Sequence, residues 1–227
     1  MAAPLLVLTA IAGVAFAAGL TVASKNLTVL RTCVVSATPA ASTVEDDAYV
    51  NQNAPTTNNG TGNFVDVQTG SGQNRRAYLW FDLTACTPAI PTTATVKLAT
   101  LRLYATQVPT ACHTYDIFDA ASAWSETGIT WNNQPFGTTL NNPASGTRTD
   151  AITIGGAPCQ NTATGTYVNG WTVTADVQRF VAGTQTNFGW MIRDDAENVA
   201  PTDNARFATR ELGNVSRVPQ LTIGWTP

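Results

Sequence analysis

Charge is scarce in this sequence. Only 12% of its 227 residues are Asp, Glu, Lys or Arg, and the net charge is -3. No dense basic stripe is available to neutralise a phosphate backbone, so nucleic acid is not expected as a partner. Histidine is nearly missing. The only one, His113, stands beside Cys112 at the start of an extended run and reads as a structural or surface residue. No GxSxG, HExxH or phosphate-cradling glycine loop occurs. The adjacent acids Glu45-Asp46-Asp47 and Asp194-Asp195 would point in opposite directions on a strand, which denies them a shared scissile bond. No catalytic residue is assigned, and the chain is not expected to be an enzyme. CxxC is also absent. Cys33, Cys86, Cys112 and Cys159 are widely spaced, an even set that points to disulfides in an oxidising compartment. Three pairings are open. Cys33 with Cys86 and Cys112 with Cys159 is the preferred one, each bridge being worth about 3 to 5 kcal/mol in the chain-entropy model.

What is present divides the chain in three. Residues Pro4 to Ala23 form an apolar run about long enough to cross a bilayer, so 1–24 is expected to be a signal peptide or membrane anchor, the only route to a membrane. No Lys or Arg precedes the run, whereas Lys25 and Arg31 follow it. Read literally, that charge order keeps the domain cytoplasmic. The cysteines argue the other way, so Met1 is expected to be an internal start, with a basic leader upstream and an extracellular destination. Residues 25–44 form a linker and possible first strand, and 45–227 form one domain, large enough to bury roughly 70% of its unfolded surface.

The centre of that domain is Arg75-Arg76-Ala77-Tyr78-Leu79-Trp80-Phe81-Asp82-Leu83. Leu79, Phe81 and Leu83 fall on one side of an extended chain, and Tyr78 and Trp80 on the other. Further strands are expected at Ala48-Tyr49-Val50, Phe64 to Gln68, Thr95 to Val108, Tyr115 to Asp119, Ala151 to Ile154, Trp171 to Val173, Phe188 to Arg193, Ala205 to Glu211 and Val218 to Trp225. In the run from Thr95 the apolar positions switch from even (Val96, Leu98) to odd (Leu101, Leu103), which requires a bulge near Ala99-Thr100. One short helix is expected from Thr174 to Gly183, capped by Thr174 and ended by the glycine. About ten strands without a βαβ rhythm specify an all-β protein, an antiparallel β-sandwich of jelly-roll type.

Aromatic rings beside hydrogen-bonding groups suit sugar faces. Alternation nominates Tyr78, Trp80, Arg102 and Tyr104 as carbohydrate ligands, if their strands are neighbours, with Arg75 able to grip a uronate carboxylate through two contacts. The same rings would instead be covered if a loop packs over them. Trp124, Trp131, Trp171 and Trp190 lie between turns and read as core or loop anchors. Arg76 and Glu211 are expected to form a buried pair. Asp46 and Asp47, together with Asp194, Asp195 and Asp203, are oxygen donors of the kind a structural calcium ion takes, although no contiguous calcium-loop spacing occurs.

Seven stretches share the order and spacing of one family: Asp47-Ala48-Tyr49-Val50, Arg76 to Leu83, Leu101-Arg102-Leu103-Tyr104, Trp124-Ser125-Glu126-Thr127-Gly128-Ile129-Thr130-Trp131-Asn132-Asn133, Val173 to Val177, Asn187-Phe188-Gly189-Trp190 and Thr209-Arg210-Glu211. From about Asp46 to Trp225 the chain resembles the DNRLRE domain family, which is similar to carbohydrate-binding module family 96. The resemblance implies a non-catalytic module for polysaccharide or cell-wall glycan, secreted or displayed at a bacterial surface. Some members are alginate-binding modules attached to lyases; no such catalytic domain accompanies this sequence, so an accessory role in an enzyme is not carried over. The alternative is a structural surface protein that assembles with other proteins.

Overall fold

The computed structural model describes residues 29–36, 44–141 and 147–227. The expected export segment 1–24 and linker residues 37–43 lie outside them. The strands are β1 (Arg31–Ser36), β2 (Glu45–Asn51), β3 (Phe64–Thr69), β4 (Arg75–Phe81), β5 (Thr95–Arg102), β6 (Tyr104–Gln107), β7 (Cys112–Asp119), β8 (Asp150–Gly155), β9 (Thr166–Tyr167), β10 (Trp171–Thr172), β11 (Trp190–Asp194), β12 (Asp203–Ala208) and β13 (Gln220–Thr226). Among the described residues one α-helix, α1, spans Thr174–Val181.

These strands make an all-β sandwich of two antiparallel sheets. The smaller runs β1-β13-β5-β10; the larger runs β8-β7-β11-β4-β3-β12-β6-β9, with β2 laid along β4 from Glu45↔Phe81 to Asn51↔Arg75. The alternation read from the sequence explains the filling. Ala77, Leu79 and Phe81 of β4 point between the sheets and meet Leu101, Leu103, Trp171, Trp190, Phe207 and Trp225 there. Two of the three deep indoles bond their polar ends, Trp171 Nε1 donating to Tyr115 O at 2.9 Å and Trp190 Nε1 to Asp176 Oδ2 at 2.9 Å, while Trp225 Nε1 is buried without a partner.

The run from Thr95 to Val108 is not one strand. It leaves the small sheet at Leu103 and enters the large one as β6, so β5 and β6 belong to different layers. Its bulge falls earlier than expected. Opposite β13, Gly224 faces Leu98 and Trp225 faces Val96, which makes Lys97 the extra residue. Val96, Ala99, Leu101 and Leu103 then share the core face while Leu98 is turned out and 38% exposed. Leucine 98 was the wrong residue to hold inside.

Helix α1 forms where expected, but Thr174 does not cap it. Its hydroxyl accepts from Ala99 N of β5 at 2.8 Å, so it fastens the helix to the small sheet instead. Gly183 follows with φ of 69°, a conformation that disfavours side chains. The preferred cysteine pairing is the one present: Cys33–Cys86 and Cys112–Cys159, with separations of 53 and 47 residues. Loops of that length correspond to about 4 kcal/mol of stabilisation each in the chain-entropy model.

Candidate functional site

The second side of β4 carries Arg76, Tyr78 and Trp80, and most of it is covered. Residues 120 to 141 fold over it and bury Tyr78 against Phe118, Ile129, Trp131, Phe136 and Met191. Tyr78 donates from its hydroxyl to Gln134 Oε1 at 3.0 Å, and burial pushes its phenol well above the ordinary value. The expectation that Tyr78 lies open to a ligand is therefore corrected: its ring is 0% exposed. Arg76 is the fastener of this loop. It grips Glu197 through Nε at 2.6 Å and Nη2 at 3.0 Å, donates to the carbonyls of Gly137 and Thr139, and lies 4.9 Å from the Trp131 ring. A buried arginine paired with a carboxylate was expected, but the partner is Glu197 and not Glu211.

Only Trp80 emerges from this side, at the end of the strand where the loop cover stops. It lines a cleft of about 230 Å³ with Asp46, Ala123, Trp124, Asn187 and Phe188. Trp124 also lines an adjoining depression of about 310 Å³ with Ser125, Gly128, Ile129 and Asn133. Both indoles are half-buried and held by successive carbonyls: Trp80 Nε1 donates to Asn187 O at 3.1 Å and Trp124 Nε1 to Phe188 O at 2.8 Å. Gly189 makes this possible. Its φ is 76°, and a Cβ there would stand 2.1 Å from Leu79 O, so only glycine lets the segment run against β4. Asp46 pairs with Trp80 across β2 and β4, which puts a carboxylate at the rim.

The other nominated residues are elsewhere. Tyr104 sits on β6, separated from β4 by β3 and β12, so it does not extend the Trp80 surface. Its ring meets Tyr167 edge to face at 5.4 Å, with Arg217 5.1 Å from Tyr104 and Arg102 5.2 Å from Tyr167. Arg75 is bonded to buried Asp66 at 2.6 Å. Asp194 and Asp203 flank His113, at 2.8 Å from Nδ1 and 3.6 Å from Nε2, which leaves Asp195 exposed beside them. Asp46 and Asp47 belong to a different acidic group around Arg210. Trp124, expected as a core or loop anchor, reaches the surface, and Tyr167 joins Tyr104 there without any signal in the sequence. The signal for Trp124 was its place at the head of Trp124-Ser125-Glu126, before the loop turns into its own core at Ile129 and Trp131.

An antiparallel sandwich with an open cleft walled by fixed aromatic rings and edged by polar groups is the build of a ligand-binding β-module. The chain belongs to carbohydrate-binding module family 96, whose model matches residues 38–224. No curated protein matches the sequence significantly.

Proposed function

We propose that this protein is a non-catalytic module, exported and either secreted or held at the cell surface, that binds polysaccharide along the Trp80 and Trp124 cleft. The observation that carries this reading is the pair of indoles whose N–H groups are already bonded to Asn187 and Phe188 carbonyls. Pinned rings lose little conformational freedom on binding, which favours stacking of a pyranose C–H face. Asp46, Ser125, Asn133 and Asn187 line the same hollows and can meet hydroxyls. Membership of the family supports glycan as the ligand, and two disulfides support an oxidising destination. A glycan array, followed by pull-down with alginate, pectin and peptidoglycan, tests it. At least one glycan should be retained by wild type and lost by Trp80→Ala and Trp124→Ala. Retention of none, together with assembly of the purified protein into polymers, would replace this reading with that of a structural surface protein.

A further inference from the structure

Around Arg210, in the short 3-10 turn Arg210–Leu212, negative charge is crowded beyond what one guanidinium can balance. Arg210 Nη2 bonds Glu126, its Nε lies 2.8 Å from Glu211, and its backbone N–H donates to Asp47 Oδ2 at 3.3 Å. Its Nη1 stands 3.9 Å from Glu45 and 3.7 Å from Asp46. Five carboxylates against one cation leave -4 when all are ionised, more than the -3 of the whole chain.

Oxygens of Asp47, Glu126 and Glu211 all lie within 4.8 Å of one another. That is the span across an ion whose bonds are about 2.4 Å long. Glu45 supplies an independent sign. It is 0% exposed, shares its face of β2 with Asp47, and apart from the neighbouring Asp47 carboxyl neither of its carboxylate oxygens has a hydrogen-bond partner. Glu211 Oε2 is likewise buried without a partner while its Oε1 faces Arg210. An ionised carboxylate left this way is strongly disfavoured unless a proton or a cation meets it. Glu126 and Glu211 keep 12% and 20% of their side chains exposed, which gives an ion a way in.

We propose that Asp47, Glu126 and Glu211, backed by Glu45, bind a hard divalent cation of calcium size. The cation joins β2, the 3-10 turn and the loop that carries Trp124, yet the inference stands whether or not a glycan binds. Among the groups facing the site from these elements, burial and then the charge of Glu211 push the Asp47 carboxyl up to about 8, and burial and then Asp47 raise that of Glu45. Burial also raises Asp46 and Glu126, with Arg210 opposing.

Calcium chloride alone, titrated into chelator-treated protein, should show one saturable site by calorimetry and raise the melting temperature. Glu126→Gln and Asp47→Asn should each weaken calcium binding at least about tenfold. In chelator at pH 8, Asp47→Asn should melt no lower than wild type, because it removes a buried repulsive charge. If that variant fails to fold, Glu126→Gln, whose side chain is 12% exposed, carries the calcium-binding readout. No heat and no thermal shift at millimolar calcium and pH 8, or calcium binding unchanged in Glu126→Gln, overturns the proposal.

Discussion

Two of the half-buried aromatic pairs, Trp80 with Trp124 and Tyr104 with Tyr167, differ in what covers the rings. Trp80 and Trp124 have their N–H groups bonded to the carbonyls of Asn187 and Phe188, and among the described residues no cation stands over either indole. Tyr104 and Tyr167 meet edge to face, but Arg217 and Arg102 stand over them. A guanidinium over a ring already uses the π face that a sugar would need. Strand alternation treats Trp80 and Tyr104 alike, as aromatics facing away from the core. The distinction comes from third parties, a loop that offers carbonyls in one case and arginines in the other. Ring position alone is therefore a poor guide to a sugar platform; what occupies its face decides.

The comparison breaks first at its foundation. The tryptophan cleft depends on the 120 to 141 loop, and Arg76 ties that loop to β4 and Glu197. Arg76→Met leaves Glu197 buried with Arg193 no nearer than 3.9 Å. Stability measured by urea unfolding should fall by about 3 to 5 kcal/mol. Next comes Gly189→Ala, which forces a side chain into a positive φ against Leu79 O. A loss of about 2 to 3 kcal/mol is expected, with Trp80 fluorescence shifting as its carbonyl anchor moves.

Glycan binding sharpens the contrast at smaller amplitude. Trp124→Ala should weaken the best glycan by about 2 kcal/mol, roughly thirtyfold, as for a ring central to its site. Tyr167→Ala, in the arginine-covered pair, should change the same affinity by less than about threefold. Isothermal titration of the two variants separates them, and equal losses would mean that the cleft has been placed on the wrong side of the sheet.

The sandwich was legible because two-residue periodicity reports which side chains face inward, and burial of Leu79, Phe81, Leu101 and Trp190 follows it directly. Periodicity does not report what lies on the other side. Tyr78 and Trp80 share a face, yet one is sealed by Phe136 and Gln134 and the other is left at the loop's edge. Nothing local distinguishes them. The bulge was legible as a count and not as a position, since one extra residue anywhere between Val96 and Leu101 restores the pattern; the choice of Lys97 follows from its charge, which favours solvent. Arg76 found Glu197 over Glu211 through the path of the chain after β11, which no spacing encodes. Trp124 sits in irregular backbone with no period to read.

The smallest effect is the most discriminating for the covered pair. Arg217 is exposed, lies on a turn and contacts Tyr104 only through its guanidinium at 5.1 Å. Removing it as Arg217→Ala should alter stability by no more than about 0.5 kcal/mol, the ordinary range for a surface change. If guanidinium cover is what keeps Tyr104 from serving a ligand, this variant should gain weak glycan binding that Trp124→Ala does not abolish. A double variant, Arg217→Ala with Trp124→Ala, isolates that gain by titration. No binding by the double variant would show that the tyrosine pair lacks the shape of a platform even when uncovered, and the difference between the two regions would then rest on the geometry of the cleft instead of on the occupied ring face.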